Sequence, residues 1–298
     1  MRNINFVVPT FRDSFYLSAV YYAKWLDHTR FRIAISTNPK PFWLNIRLND
    51  MWNEFRRPVK ADIYMLDTPQ YYNDIYRRVP LQRLKPRYIF VASTWNQEMA
   101  EQYFENVAVI PRLPHPLYLV NDALPYSGKE YDLAFVSGTH PRKAFKEFIQ
   151  VCEELRLKCW YTGSYSRYDL YTLIGMLKKT KFIWWLSKSE GFGLGLIEAQ
   201  ALGVPALCLY AHTSKDYCFT CYEKPELWVE PREEKVVELP FGRHKLWLFD
   251  IEEAKKIVKE ALSMDEEEYT RLSNTVKAKT RRFVTKWAKY INELLYTI

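Results

Sequence analysis

Five short runs in the first part of the chain, INFVVPT, FRIAIST, ADIYMLD, RYIFVAST and VAVIP, are apolar on both faces and alternate with polar or helical stretches. A strand apolar on both faces has to be covered on both, and a parallel sheet flanked by helices does this. Helices are expected at Ser14 to Leu26 and Asn96 to Phe104. The proline-rich stretch PRLPHPLYLVNDALPYSGKEYD then reads as a connection near residues 111–130. A second alternation follows: DLAFVSG, a helix from Arg142 to Leu155, LKCWYTG, a helix from Tyr168 to Lys178, KFIWWLS, a helix carrying Glu198, and PALCLYA. After these come IEEAKKIVKEAL and a long amphipathic segment, Asp265 to Leu295, rich in Lys and Arg. With 298 residues there is room for two domains. The pattern predicts an α/β chain of two doubly wound domains facing across a cleft.

The densest chemistry lies in SKSEGFGLGLIEAQALGVPAL, Ser187 to Leu207. KFIWWLS supplies a strand, and the glycines after it permit a sharp turn into a helix starting near Gly193. Free backbone N–H groups and the helix dipole at that edge favour an anion. The glycines are spaced GxGxG, with Leu196 where a dinucleotide fingerprint needs glycine, and no GK[ST] follows. On the helix, Glu198 neighbours Leu194, Gly195, Ala201 and Leu202 at spacings of three and four, small and apolar surroundings for a carboxylate. One reading is a first-turn Glu held by the dipole, worth ~0.3–1 kcal/mol. The other is that Glu198 accepts two hydrogen bonds from a vicinal diol such as a ribose, with Glu190 accepting from a second polar group. Arg142 and Lys143, in FVSGTHPRKAF, follow a strand and a glycine. Cations there oppose a helix dipole, so an anionic ligand accounts for them better than a solvated basic turn.

Together these residues resemble the signature of retaining glycosyltransferases of family 4: two glutamates with seven residues between them, a small-residue helix and Gly-x-Pro. FVSGTHPRKAF is similar to that family's diphosphate segment, VASTWNQEM and VAVIPRLPHPLY to the approach to its interdomain connection, and YTRLSNTVKAKTRRFVTKWAKYINELL to its last helices. The resemblance implies a GT-B fold of two Rossmann-like domains. An acceptor domain would span 1–120, joined by a C-terminal helix at about 283–298 that crosses back, and a nucleotide-sugar domain would span 121–282. It further implies Glu190, Lys143 and Arg142 in catalysis, and Glu198, Gly191, Phe192, Gly193, Leu194, Gly138 and Gly163 in binding the donor. No metal and no cofactor beyond a nucleotide-diphosphate sugar is expected, and the acceptor is open among saccharide, lipid and protein. Several positions depart from the family. VVPTFRDS lacks a glycine pair, which leaves contacts near Pro9 to Arg12 open. His28, the only histidine before the connection, takes no role at the reacting sugar. Ala144 and Thr139 replace a glycine and an arginine, and the single turn YTGS implies an abridged base pocket near Tyr161 to Ser164.

Composition sets the outer bounds. Forty-three Lys and Arg against 35 Asp and Glu give a formal +8, which favours anionic partners. The basic run Lys277 to Lys289 reads first as a solvated helix face, with peripheral contact to an acidic membrane surface also open and nucleic acid disfavoured. Five cysteines, an odd number with two in apolar segments, suggest reduced thiols in a cytoplasm, and the lone CxxC of Cys218 and Cys221 suggests incidental thiols rather than zinc. No apolar run reaches the roughly 18 residues of a membrane span, and MRNINFVVPTF is too short in apolar residues for a signal peptide. His115 and His140 sit beside prolines, and His212 follows the strand after the signature helix as a minor candidate. Two other readings stand beside glycosyl transfer: a different GT-B reaction such as epimerisation or phosphorolysis, and a basic nucleic-acid-binding protein with a degenerate nucleotide fold.

Overall fold

The computed structural model describes residues 1–9, 14–49, 59–66, 86–163, 168–239 and 242–298. Six strands, β1 (Arg2–Val7), β2 (Phe31–Ser36), β3 (Leu44–Asn49), β4 (Ile63–Leu66), β5 (Tyr88–Val91) and β6 (Val107–Val109), form a parallel sheet in the order β2-β1-β3-β4-β5-β6. Five more, β7 (Tyr131–Phe135), β8 (Cys159–Tyr161), β9 (Thr180–Trp185), β10 (Ala206–Leu209) and β11 (Trp228–Val229), form a second parallel sheet in the order β11-β10-β9-β7-β8. Both sheets follow one doubly wound plan, in which the first strand is flanked by the second and the third. The chain reverses its winding direction beside that first strand, and loops diverge there at the carboxyl edge to leave a crevice for a ligand. In the second sheet this point lies between β7 and β9.

The chain divides into two compact units. One holds Met1–Pro116, Val236–Lys245 and Val284–Ile298, and the other Leu117–Lys235 and Leu246–Phe283. The first is filled by residues such as Ile4, Phe6, Phe31, Ile46 and Ile63, all nearly inaccessible. The second is built around Phe135, Phe148, Phe182, Trp184 and Phe192. β9 is buried at five of its six positions, as a strand covered on both faces must be.

Several elements differ from the sequence reading. The helix expected from Arg142 begins at Phe145, because Pro141–Lys143 closes a 3-10 turn and Ala144 adopts the left-handed conformation, φ 57°. The helix expected at Asn96 to Phe104 is Thr94–Ala100, started by Ser93, whose hydroxyl accepts from the Asn96 amide. Strands β3 and β11 and the two-stranded sheet of β12 (Glu233–Leu239) and β13 (Gly242–Leu248) were not anticipated. The thiols are not reduced either. Cys152 is joined to Cys159 and Cys208 to Cys218, because the end of the helix Phe145–Glu154 meets the start of β8, and β10 meets the residue after the turn Ser214–Tyr217. Cys221 alone remains a buried thiol. The 32-residue helix Glu266–Thr297 closes the chain. Among the described residues no helix is long and apolar enough to cross a membrane.

Candidate functional site

The loops leaving β7 and β9 are laced together at the carboxyl edge of the second sheet. From the β7 loop, the Arg142 guanidinium donates to the Ser189 carbonyl at 2.8 Å. In return the Lys188 amide donates to the Arg142 carbonyl at 2.8 Å, and the Ser187 hydroxyl donates to the same oxygen at 3.3 Å. The Lys143 ammonium is ion-paired with the Glu190 carboxylate. The His140 ring accepts from the Arg142 amide and so fixes the turn. Arg142 and Lys143, 48 and 47 residues before Glu190 in sequence, therefore share one edge with it. Beside them lies a small hollow lined by Phe135, Ser137, Lys143, Trp184, Trp185, Ser187 and Glu190.

The two glutamates of the signature ionise differently. Burial pushes the Glu190 carboxyl up, but Lys143 and Arg142 beside it outweigh burial and hold it below the ordinary carboxylate range. Glu198 lies in the helix Leu194–Leu202, whose residues Leu196 to Leu202 are all buried. No donor among the described residues reaches its carboxyl group, and burial raises its pKa to about 8. It is a buried acceptor without a partner.

The glycines shape the turn between these groups. Gly193, at φ 92°, starts the helix, and a Cβ there would stand 2.9 Å from the Trp185 indole. Gly191 is buried and Leu194 half-buried. Phe192 turns its ring into the core against Tyr217, 4.9 Å between centroids, so only its backbone is left for a ligand. Gly138 is exposed in the β7 loop. Gly163, at φ 66°, follows Thr162, which is tied to the end of β7 through the Phe135 and Ser137 carbonyls. The base pocket expected near Tyr161 to Ser164 and the contacts expected near Pro9 to Arg12 lie partly outside the described residues.

His212, a minor candidate from the sequence, lies at this edge. Its Nε2 donates to the Ser187 carbonyl at 2.7 Å, and its ring meets Trp247 edge-on at 5.4 Å. Burial lowers its pKa to about 4, so it is neutral at pH 7. Trp247, on β13, donates its amide to the Lys188 carbonyl at 2.9 Å. Its only sequence signal was a tryptophan in a polar stretch. His115 lies elsewhere, packed on Tyr21. Among the described residues Cys208, Cys218 and Cys221 lie close together, but with Cys208 and Cys218 joined in a disulfide only Cys221 keeps a thiol.

No family model matches the chain. It is similar to the candidate glycosyltransferase ORF313 of Acidianus filamentous virus 1, with 25% identity over 203 residues, covering 62% of this chain and 64% of that protein. It is also similar to the candidate glycosyltransferase 41 of a Sulfolobus islandicus filamentous virus, 26% identical over 212 residues, covering 66% and 60%. The chain thus spans less than two thirds of either viral protein. Among solved structures it resembles the sucrose-phosphate synthase of Thermosynechococcus elongatus (TM-score 0.67, 10% identity, 99% and 98% of the two chains). It also resembles HepE of Anabaena in complex with UDP and glucose (0.60, 12%, 100% of each). A third is OtsA (0.57, 10%, 85% and 73%). The chain has the α/β GT-B fold of these glycosyltransferases.

Proposed function

We propose that this chain transfers a sugar from a nucleotide-diphosphate sugar to an acceptor hydroxyl with retention of configuration, as family 4 glycosyltransferases do. The observation that carries the reading is the meeting of Arg142, Lys143 and Glu190 at the winding reversal of the second sheet, where a ligand of such a fold binds. The names of the two viral relatives and the UDP and glucose held by HepE support a nucleotide-sugar donor.

In this reading Glu198 accepts from the two ribose hydroxyls, which supply the donors its buried carboxyl lacks. Lys143 and Arg142 neutralise the departing diphosphate, and the amides of Gly191 to Leu194 add the partial positive charge of a helix N-terminus. Glu190 accepts from the transferred sugar. Gly138 and Gly163, without side chains, let the phosphate and nucleoside approach the backbone. A double displacement would need a free carboxylate on the sugar face opposite the leaving group, and both glutamates are otherwise engaged. The substitution is therefore front-face. The bond from the anomeric carbon to the phosphate oxygen breaks, the acceptor oxygen bonds to that carbon from the same side, and the departing phosphate oxygen takes the acceptor's proton. Charge on the leaving group is met by cationic side chains and amides rather than by a divalent metal.

A panel of nucleotide sugars screened for thermal stabilisation identifies the donor. NMR of the product from an α-linked donor should show an α linkage, formed equally well in EDTA. An inverted product would overturn the mechanism, and activity lost in EDTA and restored by magnesium or manganese would overturn its metal-free form.

A further inference from the structure

We propose that one face of the helix Glu266–Thr297 is an electrostatic docking surface for an anionic lipid bilayer. From Arg271 to Tyr290 the sequence RLSNTVKAKTRRFVTKWAKY contains no carboxylate. The helix buries one stripe, Leu272, Val276, Thr280, Val284, Ala288, Ile291 and Leu295, which fixes the opposite face towards solvent. On that face Arg271, Lys279, Arg282, Lys286 and Lys289 are exposed. Lys279 is paired with Glu223, and the buried side of the helix spends Lys277 and Arg281 on Asp122. Arg271, Arg282, Lys286 and Lys289 form no ion pair among the described residues. At 1.5 Å per residue they follow the helix for about 27 Å. The first carboxylate to reappear on it is Glu293.

The composition of this face favours a lipid surface. Each Lys or Arg near an anionic leaflet is worth about 1 kcal/mol, and four on one helix face without a carboxylate among them act together. Tyr290, 46% exposed next to Lys286 on the helix surface, adds an amphipathic ring of the kind that sits at headgroup depth. The apolar stripe is already occupied by the protein, so the helix adsorbs by charge and does not insert. None of these residues belongs to the site at β7 and β9, and the inference does not depend on the reaction proposed there.

The test is co-sedimentation with vesicles of phosphatidylcholine alone or containing about a third phosphatidylglycerol. The protein should sediment with the anionic vesicles only, and 0.5 M salt should release it, because exposed charges are screened within a few ångströms at such ionic strength. R282E/K286E/K289E should lower the vesicle partition coefficient by at least tenfold. K235E/K256E/K259E, which reverses three exposed cations elsewhere, should lower it by less than threefold. R282Q/K286Q/K289Q gives the same reading without added negative charge should the first variant fold poorly. Binding equal for the variants of this face and the native chain overturns the proposal. So does absence of binding to anionic vesicles at low salt, or retention of the protein on a DNA duplex that vesicles do not compete away.

Discussion

Glu198 and Glu190 show how two carboxyl groups eight residues apart take opposite charge states. Glu190 has cations within reach and stays ionised, while Glu198 has burial alone and holds its proton at neutral pH. The sign of the consequence follows from linkage. Between the ordinary value of 4.5 and about 8 the folded chain binds a proton at Glu198 that the unfolded chain releases, so stability is full below 4.5 and falls as pH rises through that window. The slope is about 1.4 kcal/mol per pH unit. Glu198→Gln, which cannot titrate, should melt above the native chain at pH 8 and together with it near pH 4.5. If Glu198 is the ribose acceptor, then at pH 9, where its carboxyl is ionised, the same variant should bind nucleotide on the order of ten- to a hundredfold more weakly, from the loss of hydrogen bonds to a charged acceptor. Calorimetry at that pH that finds unchanged affinity in the folded variant removes the ribose role. The apolar neighbours of Glu198 were legible in the sequence, and so was the motif spacing that singled out Glu190. The pairing of Glu190 with Lys143 and the bond from His212 to Ser187 were not, because they join segments 47 and 25 residues apart and no local pattern encodes them. The disulfides were hidden for a related reason: an odd count of thiols at spacings of 7 and 10 does not reveal which approach in space.

At the scale of elements, the site depends on a strand that ends and a helix that starts within a few residues. Gly193 makes that possible twice over. Its φ of 92° is the left-handed region that a Cβ disfavours by roughly 1–2 kcal/mol, and the Trp185 indole fills the space a Cβ would need, 2.9 Å away. Gly193→Ala should therefore lower the melting temperature and abolish nucleotide binding, since the turn must shift to relieve the clash. Gly175, inside the helix Leu170–Lys178, has no atom within 4 Å of its Cβ position, and Gly175→Ala should raise the melting temperature, by about 0.5–1 kcal/mol of stability. Thermal scans of the two variants side by side check the argument; equal shifts would show that neither space nor φ decides the outcome. Element types were legible wherever apolar residues recur without interruption, as in β1, β7 and β9. Strand β3, LNIRLN, escaped because it places Asn45 and Arg47 in a buried central strand. The Asn45 side chain is satisfied by hydrogen bonds with Asn5, Lys40 and Trp43 that no periodicity announces. β12, EEKVVEL, escaped because it is mostly charged and exposed.

Over the whole molecule, the helix Glu266–Thr297 is shared: its residues to Phe283 belong to one compact unit and those from Val284 to the other. The first unit is therefore assembled from the beginning and the end of the sequence. Asn292 illustrates the closure, donating to the Trp25 carbonyl at 2.9 Å and accepting from the Asp27 amide at 2.7 Å. Arg2 donates to the Leu295 and Tyr296 carbonyls, satisfying helix-end acceptors that have no partner within the helix. The Arg30 guanidinium lies 4.1 Å over the Tyr296 ring. Val284, Ala288, Ile291 and Leu295 are buried in the same unit. Burying each of the three larger side chains is worth about 1.5–3 kcal/mol, and their sum is comparable with the ~5–15 kcal/mol by which a domain is stable at all. Ending the chain after Phe283 should thus unfold the first unit while the second, which keeps its sheet and the Lys143–Glu190 site, stays folded. Limited proteolysis should then degrade residues 1–116 and leave a resistant fragment beginning near Leu117. If the proposed reaction holds, with the first unit taking the acceptor, that fragment should still be stabilised by the nucleotide but should no longer transfer sugar. A truncated chain that resists protease along its whole length would mean that the closing helix contributes little to the first unit, against the burial of Ile291 and Leu295.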